Sequence, residues 1–327
     1  MLNYPPHNRG RNESLDFISG MLILHMIYLH ILQFSGIDRT GNVYSMTRYL
    51  FFFMPWFFFK SGMYYKDYDV KNLFVKDCLK LLKPFLLFTL LGIFVDAFIR
   101  ILTGDFSLRW LLLSNPSSLV TVGSVYGNAA LWFLVDLFLV KQLYNAAMHT
   151  CKIRNIVSVM FVIVSPIIAF LFNKYNQTAP FNIGGVVIGL FFYALGDRLR
   201  QIQFSNTLFG IALVLYLVFA SFGMSRISIF KNVLQDGHYF LFFVNALAGI
   251  ILINNIIVKT GVTSKALSYV GRHSMIFYVS HWPCLIACKY FLALTDLPVS
   301  VCIFIYILAI VIYCSMMNAI NNKLKLV

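Results

Sequence analysis

The sequence predicts an all-α integral membrane protein, and two observations carry that prediction. Of its 327 residues, 60% are hydrophobic and only 12% are charged, a composition typical of polytopic membrane proteins rather than soluble domains. The apolar residues also fall into about ten runs, each near the ~20 residues that a helix needs to cross ~30 Å of hydrocarbon. We therefore expect about ten transmembrane helices in a single domain over residues 1–327, with no appended soluble domain.

The predicted spans follow one another along the chain with short loops between them. Their approximate ranges are 13–35, 47–65, 74–99, 128–148, 155–172, 182–197, 205–223, 238–258, 272–293 and 297–317. The span at 182–197 is short and rich in glycine. The longest loop, at 100–127, mixes apolar and turn residues, which favours a partly buried re-entrant segment or a lid.

The net charge of +14 would suggest nucleic acid on a soluble protein, but here it follows from membrane orientation. With the N-terminus inside, 18 of the 26 lysines and arginines fall on the cytoplasmic side. The eight on the other side are Arg39, Arg48, Arg100, Arg109, Lys174, Arg226, Lys231 and Lys289. This bias predicts a multi-pass protein of the cell membrane with both termini in the cytoplasm and no nucleic-acid partner.

The six cysteines form no CxxC motif, and most lie inside apolar runs. That pattern indicates small packing residues, so we expect neither a metal site nor a disulfide framework.

Ionisable residues inside the first span are the first functional candidates, because they are costly in hydrocarbon. The stretch LDFISGMLILHMIYLH carries Asp16, His25 and His30. His30 lies ~21 Å from Asp16 along a helix, which puts it in the outer half of the span. His25 and His30 are five residues apart and point in different directions, so only one of them is expected to face a given cavity.

Two later spans also contain ionisable residues. Asp136 lies about two turns from the cytoplasmic end that Lys141 marks, and it needs a partner there. His281 lies ~13 Å beyond Arg272 along its helix. Pro283 follows it and frees a backbone carbonyl, as often happens beside a cavity. Asp136 could equally be a structural residue in an ion pair or in a hydrogen bond to asparagine or tyrosine.

Two basic stretches lie at predicted cytoplasmic helix ends. In VKDCLKLLKPF, the positions of Lys76, Lys80 and Lys83 predict one basic stripe on a helix. Such a stripe could anchor lipid headgroups or bind a ligand that carries several phosphates. In MPWFFFKSGMYYK, Lys60, Ser61 and Gly62 end an aromatic run where a helix breaks. The glycine permits a close backbone approach or a helix cap, and an ordinary helix end with a snorkelling lysine is the equal alternative.

Five stretches, taken in order, resemble the acyltransferase-3 family of membrane acyltransferases, which includes polysaccharide O-acetyltransferases and fucose O-acetylase-like proteins. They are RNESLDFISGMLILHMIYLH, FFFMPWFFFKSGMYY, LKLLKPF, LWFLVDLF and LSYVGRHSMIFYVSHWP. His30, not His25, is in register with the family's histidine. One departure is Ser19, where many members have arginine or lysine; Arg11 or Lys60 could supply that cation instead. A second is the lysines of the third span, where many members have arginine.

The resemblance implies transfer of an acyl group, acetyl in the first place, from acyl-CoA to a hydroxyl of a cell-envelope glycan or a lipid-linked sugar, in a bacterial plasma membrane. It implies His30 as general base or acyl carrier, with Asp16 and His281 as further catalytic candidates. Asp16 is too far from His30 to orient its ring. The implied donor-binding residues are Lys60, Ser61, Lys76, Lys80 and Lys83, and the implied acceptor-binding residues are Trp132, Asp136 and Ser274.

Two other classes remain open from the residues themselves. A transporter or flippase of a lipid-linked sugar or small anion would also use buried histidine and aspartate, as a proton relay. The spans show no inverted repeat and no matched pair of broken helices, which weighs against it. A purely structural subunit would leave His30, Asp136 and His281 without a role.

Overall fold

The computed structural model describes residues 12–36, 48–175, 182–200 and 206–327, and these ranges are almost entirely helical. The described helices are α1 (Glu13–Phe34), α2 (Phe53–Met63), α3 (Val70–Thr103), α4 (Asn115–Val122), α5 (Trp132–Thr150), α6 (Arg154–Lys174), α7 (Ile183–Leu199), α8 (Asn206–Phe222), α9 (Tyr239–Thr260), α10 (Lys265–Arg272), α11 (Ser274–Leu292) and α12 (Val299–Leu324).

Seven of the described helices are long and apolar enough to cross a membrane, namely α1, α3, α5, α6, α9, α11 and α12. The chain is therefore an all-α, multi-pass membrane protein, as predicted. The other three predicted spans fall on α2, α7 and α8, with 11, 17 and 17 residues. These three are shorter than the ~20 residues of a typical crossing, and the total number of spans stays a prediction.

Burial divides the helices into a centre and a periphery. Helices α1, α2, α5, α7, α9 and α11 supply most of the buried side chains. Helices α3, α6, α8 and α12 carry large apolar side chains on their exposed faces, such as Phe94, Ile163, Val214 and Ile312. An apolar outer surface of this kind is what lipid tails solvate, so the polar residues of the centre are shielded by a ring of outer helices.

The backbones of α1 and α10 are in direct contact through two glycines. A Cβ on Gly20 would fall 2.0 Å from the carbonyl oxygen of Leu267, and one on Gly271 would fall 1.7 Å from that of Asp16. Such close approach needs small residues, and it is a common way for helices to pack in membranes. This contact fixes the height of α1 relative to the α10–α11 segment.

The segment predicted as a re-entrant piece or lid begins with the last turn of α3 and contains a π-helical turn at Trp110–Ser114 followed by α4. The guanidinium of Arg100 lies over the Trp110 ring at 4.5 Å, which ties the segment back to α3. Leu108, Leu112 and Leu113 are exposed. A role as a lid stays a prediction.

A short hairpin precedes α9. Strands β1 (Arg226–Ser228) and β2 (Val233–Asp236) pair antiparallel, with Ile227 opposite Leu234. The ion pair between Arg226 and Asp236 closes its open end.

Candidate active site

A pair of histidines from α1 and α11 lies in face-to-face contact. The rings of His30 and His281 are 5.4 Å apart between centroids and 22° from parallel. The Trp282 ring packs edge-on against His30 at 4.8 Å. His30 follows Gly20 by ten residues within α1, which is ~15 Å along that helix. His281 follows Gly271 by ten residues across the helix break at His273. The first helix therefore meets the α10–α11 segment at two levels, through the glycines and through the histidines.

The tautomer of His281 follows from its hydrogen bond. Its Nδ1 lies 2.7 Å from the carbonyl oxygen of Tyr278, and a carbonyl can only accept, so Nδ1 carries the hydrogen. In a neutral imidazole this leaves Nε2 with the basic lone pair. Among the described residues, neither Nε2 of His281 nor Nδ1 of His30 has a hydrogen-bond partner, and both atoms are buried.

Pro283 in α11 leaves a backbone carbonyl without its usual donor, two residues from His281. Pro283 has no N–H to offer the carbonyl of Val279, four residues earlier. The side chain of Asn128 donates to that freed carbonyl at 2.8 Å. The proline thus frees a carbonyl as predicted, and a buried amide next to α5 satisfies it.

His25 lies elsewhere on α1. Its ring packs edge-on against Phe53 of α2 at 5.7 Å, whereas His30 packs against α11. The two histidines of the first span therefore face different neighbours.

A second feature is a cavity of about 480 Å³ between α1, α2, α3, α5, α7 and α11. Four lysines of the described chain lie in its wall, and we call it the lysine-walled cavity: Lys60, Lys66, Lys76 and Lys141. No carboxylate contributes to the wall within the ranges that the structure describes. Tyr64 and Lys66 are exposed at its rim, whereas Phe133 and Tyr278 are buried at its inner end. Its size and positive wall suit an organic anion.

Lys60 bridges α2 to α1. Its ammonium donates to the hydroxyl of Ser19 at 2.5 Å and lies 5.3 Å from the centroid of the Trp56 ring. Many family members carry a cation on the first helix at the position of Ser19. In this chain the ammonium of Lys60, which comes from α2, lies at that point instead. Arg11, the other candidate, lies outside the described residues.

The prediction of one basic stripe on α3 is wrong. A π-helical turn at Cys78–Leu82 interrupts α3 between Lys76 and Lys83, and a π turn inserts an extra residue that rotates the rest of the helix about its axis. Lys76 lines the cavity and donates to the Tyr68 hydroxyl at 2.7 Å, which lowers the pKa of Tyr68. Lys83 instead donates to the carbonyl of Lys325 at 2.8 Å. Lys80 is exposed and absent from the described wall.

A buried ion pair next to that π turn was missed by the sequence interpretation, which used Lys141 only as a marker of the helix end. The carboxylate of Asp77 is fully buried and accepts from Lys141 and, at 3.0 Å, from Gln142. Lys141 also lies in the cavity wall. Because the partners are 64 residues apart, no local pattern could have revealed them.

The remaining candidates separate into two groups. Ser61 and Ser274 lie in the wall of the cavity. Trp132 and Asp136 do not: Trp132 packs on Phe230, and Asp136 accepts from the Asn182 side chain at 2.8 Å. Asp136 is also four residues from the start of α5, not near its other end as predicted, because α5 continues to Thr150.

Asp16 is buried where α1 meets α10, next to Gly271. It is 14 residues before His30 on the same continuous helix, so the two residues are ~21 Å apart along the axis. The structure therefore brings His30 and His281 together and leaves Asp16 at the level of the glycine contact.

The fold and this site define a multi-pass membrane protein with a histidine pair toward one end and a cationic cavity toward the other. The model of the acyltransferase-3 family, described as an acyltransferase domain, matches residues 12–317, nearly the whole chain. The chain therefore belongs to that family and is a membrane acyltransferase. No curated protein and no solved structure matches it significantly.

Proposed function

We propose that the protein transfers an acyl group, acetyl in the simplest case, from acyl-CoA to a hydroxyl of a cell-envelope glycan or lipid-linked sugar. The observation that carries the proposal is the stacked pair of His30 and His281 beyond the inner end of a lysine-walled cavity, in a chain of an acyltransferase family. The family membership favours an enzyme over the transporter that the sequence left open.

The lysine-walled cavity is the proposed donor site. The phosphates of coenzyme A carry several negative charges, and the ammonium groups of Lys60, Lys66 and Lys76 would attract them, because no carboxylate lies in the described wall. The fourth wall lysine, Lys141, is already paired with Asp77. Lys66 and Lys76 are near the exposed rim, where the nucleotide end would stay. The narrow pantetheine arm would extend toward Ser274 and the buried inner end.

The histidine pair is the proposed site of transfer. The acceptor hydroxyl attacks the thioester carbonyl while a histidine nitrogen takes its proton; the C–S bond breaks and the thiolate is then protonated. His30 is the proposed base, because its buried Nδ1 has no hydrogen-bond partner among the described residues. His281, with its lone pair fixed on Nε2, offers the second basic nitrogen that can pass the proton on.

The proposed orientation puts both termini and the cavity mouth in the cytoplasm, where coenzyme A is found. It rests on the bias of 18 against 8 basic residues and on about ten crossings. The acceptor would then arrive at His30 from the outer face of a bacterial plasma membrane.

The test compares His30→Ala with His25→Ala as a matched control on the same helix. Membranes that contain each variant are supplied with radiolabelled acetyl-CoA, and alkali-labile acetate is measured on the glycan and lipid fractions. We expect His30→Ala to remove transfer and His25→Ala to lose no more than ~100-fold, because only His30 meets His281. Near-normal transfer by correctly inserted His30→Ala protein would contradict the proposal.

A further inference from the structure

The inner end of the lysine-walled cavity is closed by a layer of buried side chains. Ile23 of α1, Phe133 and Leu137 of α5, and Tyr278 of α11 all lie in its wall and are at most 7% exposed. Neither His30 nor His281 belongs to the wall as the described residues form it. The histidine pair therefore lies outside the cavity, beyond this buried layer.

Tyr278 belongs to this layer and also contacts the histidine pair. It lies in the cavity wall, and its carbonyl accepts the Nδ1 hydrogen of His281 at 2.7 Å. Three residues separate Tyr278 from His281, a rise of only ~4.5 Å along α11. The two rings are 6.3 Å apart between centroids. Anything that passes from the cavity to His281 along α11 must pass the Tyr278 ring.

The ring is fixed from two sides. The Tyr278 hydroxyl donates to the carbonyl of Ala130, just before α5. The ring packs edge-on against Phe133 at a centroid distance of 5.7 Å. A hydrogen-bonded ring in a packed layer resists displacement, because moving it leaves a buried hydroxyl unsatisfied.

We infer that Tyr278 is the residue that limits the length of the acyl group. The inference rests on the proposed function and adds a specificity-determining residue to it. The thioester must come to the inner end of the cavity to reach the histidines, so the acyl chain enters the layer that Tyr278 closes. A short chain fits beside the ring, whereas each further methylene must displace packed side chains. Differences of one methylene are commonly worth about 10-fold in an apolar pocket.

The experiment measures kcat/KM of the purified full-length protein for acetyl-CoA, butanoyl-CoA and hexanoyl-CoA. We expect Tyr278→Ala to raise the ratio of hexanoyl to acetyl transfer at least about 10-fold over the unchanged protein. Tyr278→Phe keeps the ring and should stay close to the original ratio. Tyr278→Leu, which keeps an apolar side chain of moderate size, replaces Tyr278→Ala if that variant does not fold.

Tyr239→Ala is the matched control, because Tyr239 is equally buried and hydroxyl-bonded but lies on α9 outside the described cavity wall. Its chain-length ratio should equal that of the unchanged protein. A folded Tyr278→Ala or Tyr278→Leu protein with the original ratio would overturn the inference and leave the proposed function standing. If the unchanged protein transfers no acyl group from any of the three thioesters, the proposed function itself fails.

Discussion

The ammonium of Lys60 accounts for a position where the chain departs from its family. In the family pattern that this chain resembles, many members have arginine or lysine on the first helix at the position where this chain has Ser19. In the structure Lys60 reaches across from α2 and donates to the Ser19 hydroxyl at 2.5 Å. Because Lys60 also lies in the cavity wall, we interpret it as the cation that the first helix lacks.

That interpretation predicts a rescue. Lys60→Ala should lower kcat/KM for acetyl-CoA by at least about 10-fold, the usual cost of losing a charge-assisted hydrogen bond. Adding Ser19→Lys should restore most of the loss, since a lysine at position 19 brings an ammonium to the same point from the facing helix. The measurement is acetyl transfer at varied acetyl-CoA concentration.

The control for the rescue is Lys60→Ala combined with Ser19→Met, which has a long, unbranched side chain like that of lysine but no charge. It should behave like Lys60→Ala alone. Equal activity of the Ser19→Lys and Ser19→Met double variants would show that charge at this point does not matter.

At the scale of the element, the π turn in α3 decides which lysines face the cavity. Lys76, before the turn, lines the cavity and is held against Tyr68. Lys83, after it, is directed to the backbone at Lys325. The buried pair of Asp77 and Lys141 lies just before the turn and fixes α3 against α5. Breaking such a pair by removing one partner typically costs about 3–5 kcal/mol.

The π turn gives a prediction that separates the two lysines. Lys76→Ala should raise KM for acetyl-CoA about 10-fold with little change in kcat, because it removes a contact made equally to bound donor and transition state. Lys83→Ala should leave both constants as they are. The measurement is steady-state kinetics of the two single variants. Equal effects of the two substitutions would restore the stripe that the sequence suggested.

The sequence predicted where the helices lie, but it did not predict which side chains pair between them. Apolar run length is a local property, so each predicted span coincides with a described helix. A π turn leaves no trace in composition, and the Asp77–Lys141 pair joins distant segments, so neither could be predicted. The separate helix α10 was missed because its eight residues are too few for a span.

For the candidate site, the sequence identified the histidines but not the contacts that orient them. The family register singled out His30 and His281, and the structure brings their rings into contact. The tautomer of His281 depends on a backbone carbonyl that only the folded helix positions. Asp136 was placed near the wrong end of its helix because Lys141 was taken as the helix end, although Lys141 is held by Asp77 well inside it.

At the scale of the whole molecule, the two ends of the helix bundle differ in chemistry. The cavity with its four wall lysines opens toward the end where α1 begins, and the histidine pair lies toward the end where α1 finishes. Because Gly20 meets Gly271 and His30 meets His281, α1 runs parallel to the α10–α11 segment. Two parallel spans have an odd number of crossings between them, as a first and a ninth span with seven between them would have.

The central claim is that donor and acceptor reach the histidine pair from opposite faces of the membrane. Sealed inverted vesicles, with the cytoplasmic face outward, are given radiolabelled acetyl-CoA, which does not cross the bilayer. We predict that labelled acetate esters form on glycan inside the vesicles, protected from added esterase until detergent is present, and that His30→Ala vesicles form none. Esters formed on the outer surface of the inverted vesicles, or formed only by right-side-out vesicles, would contradict the claim.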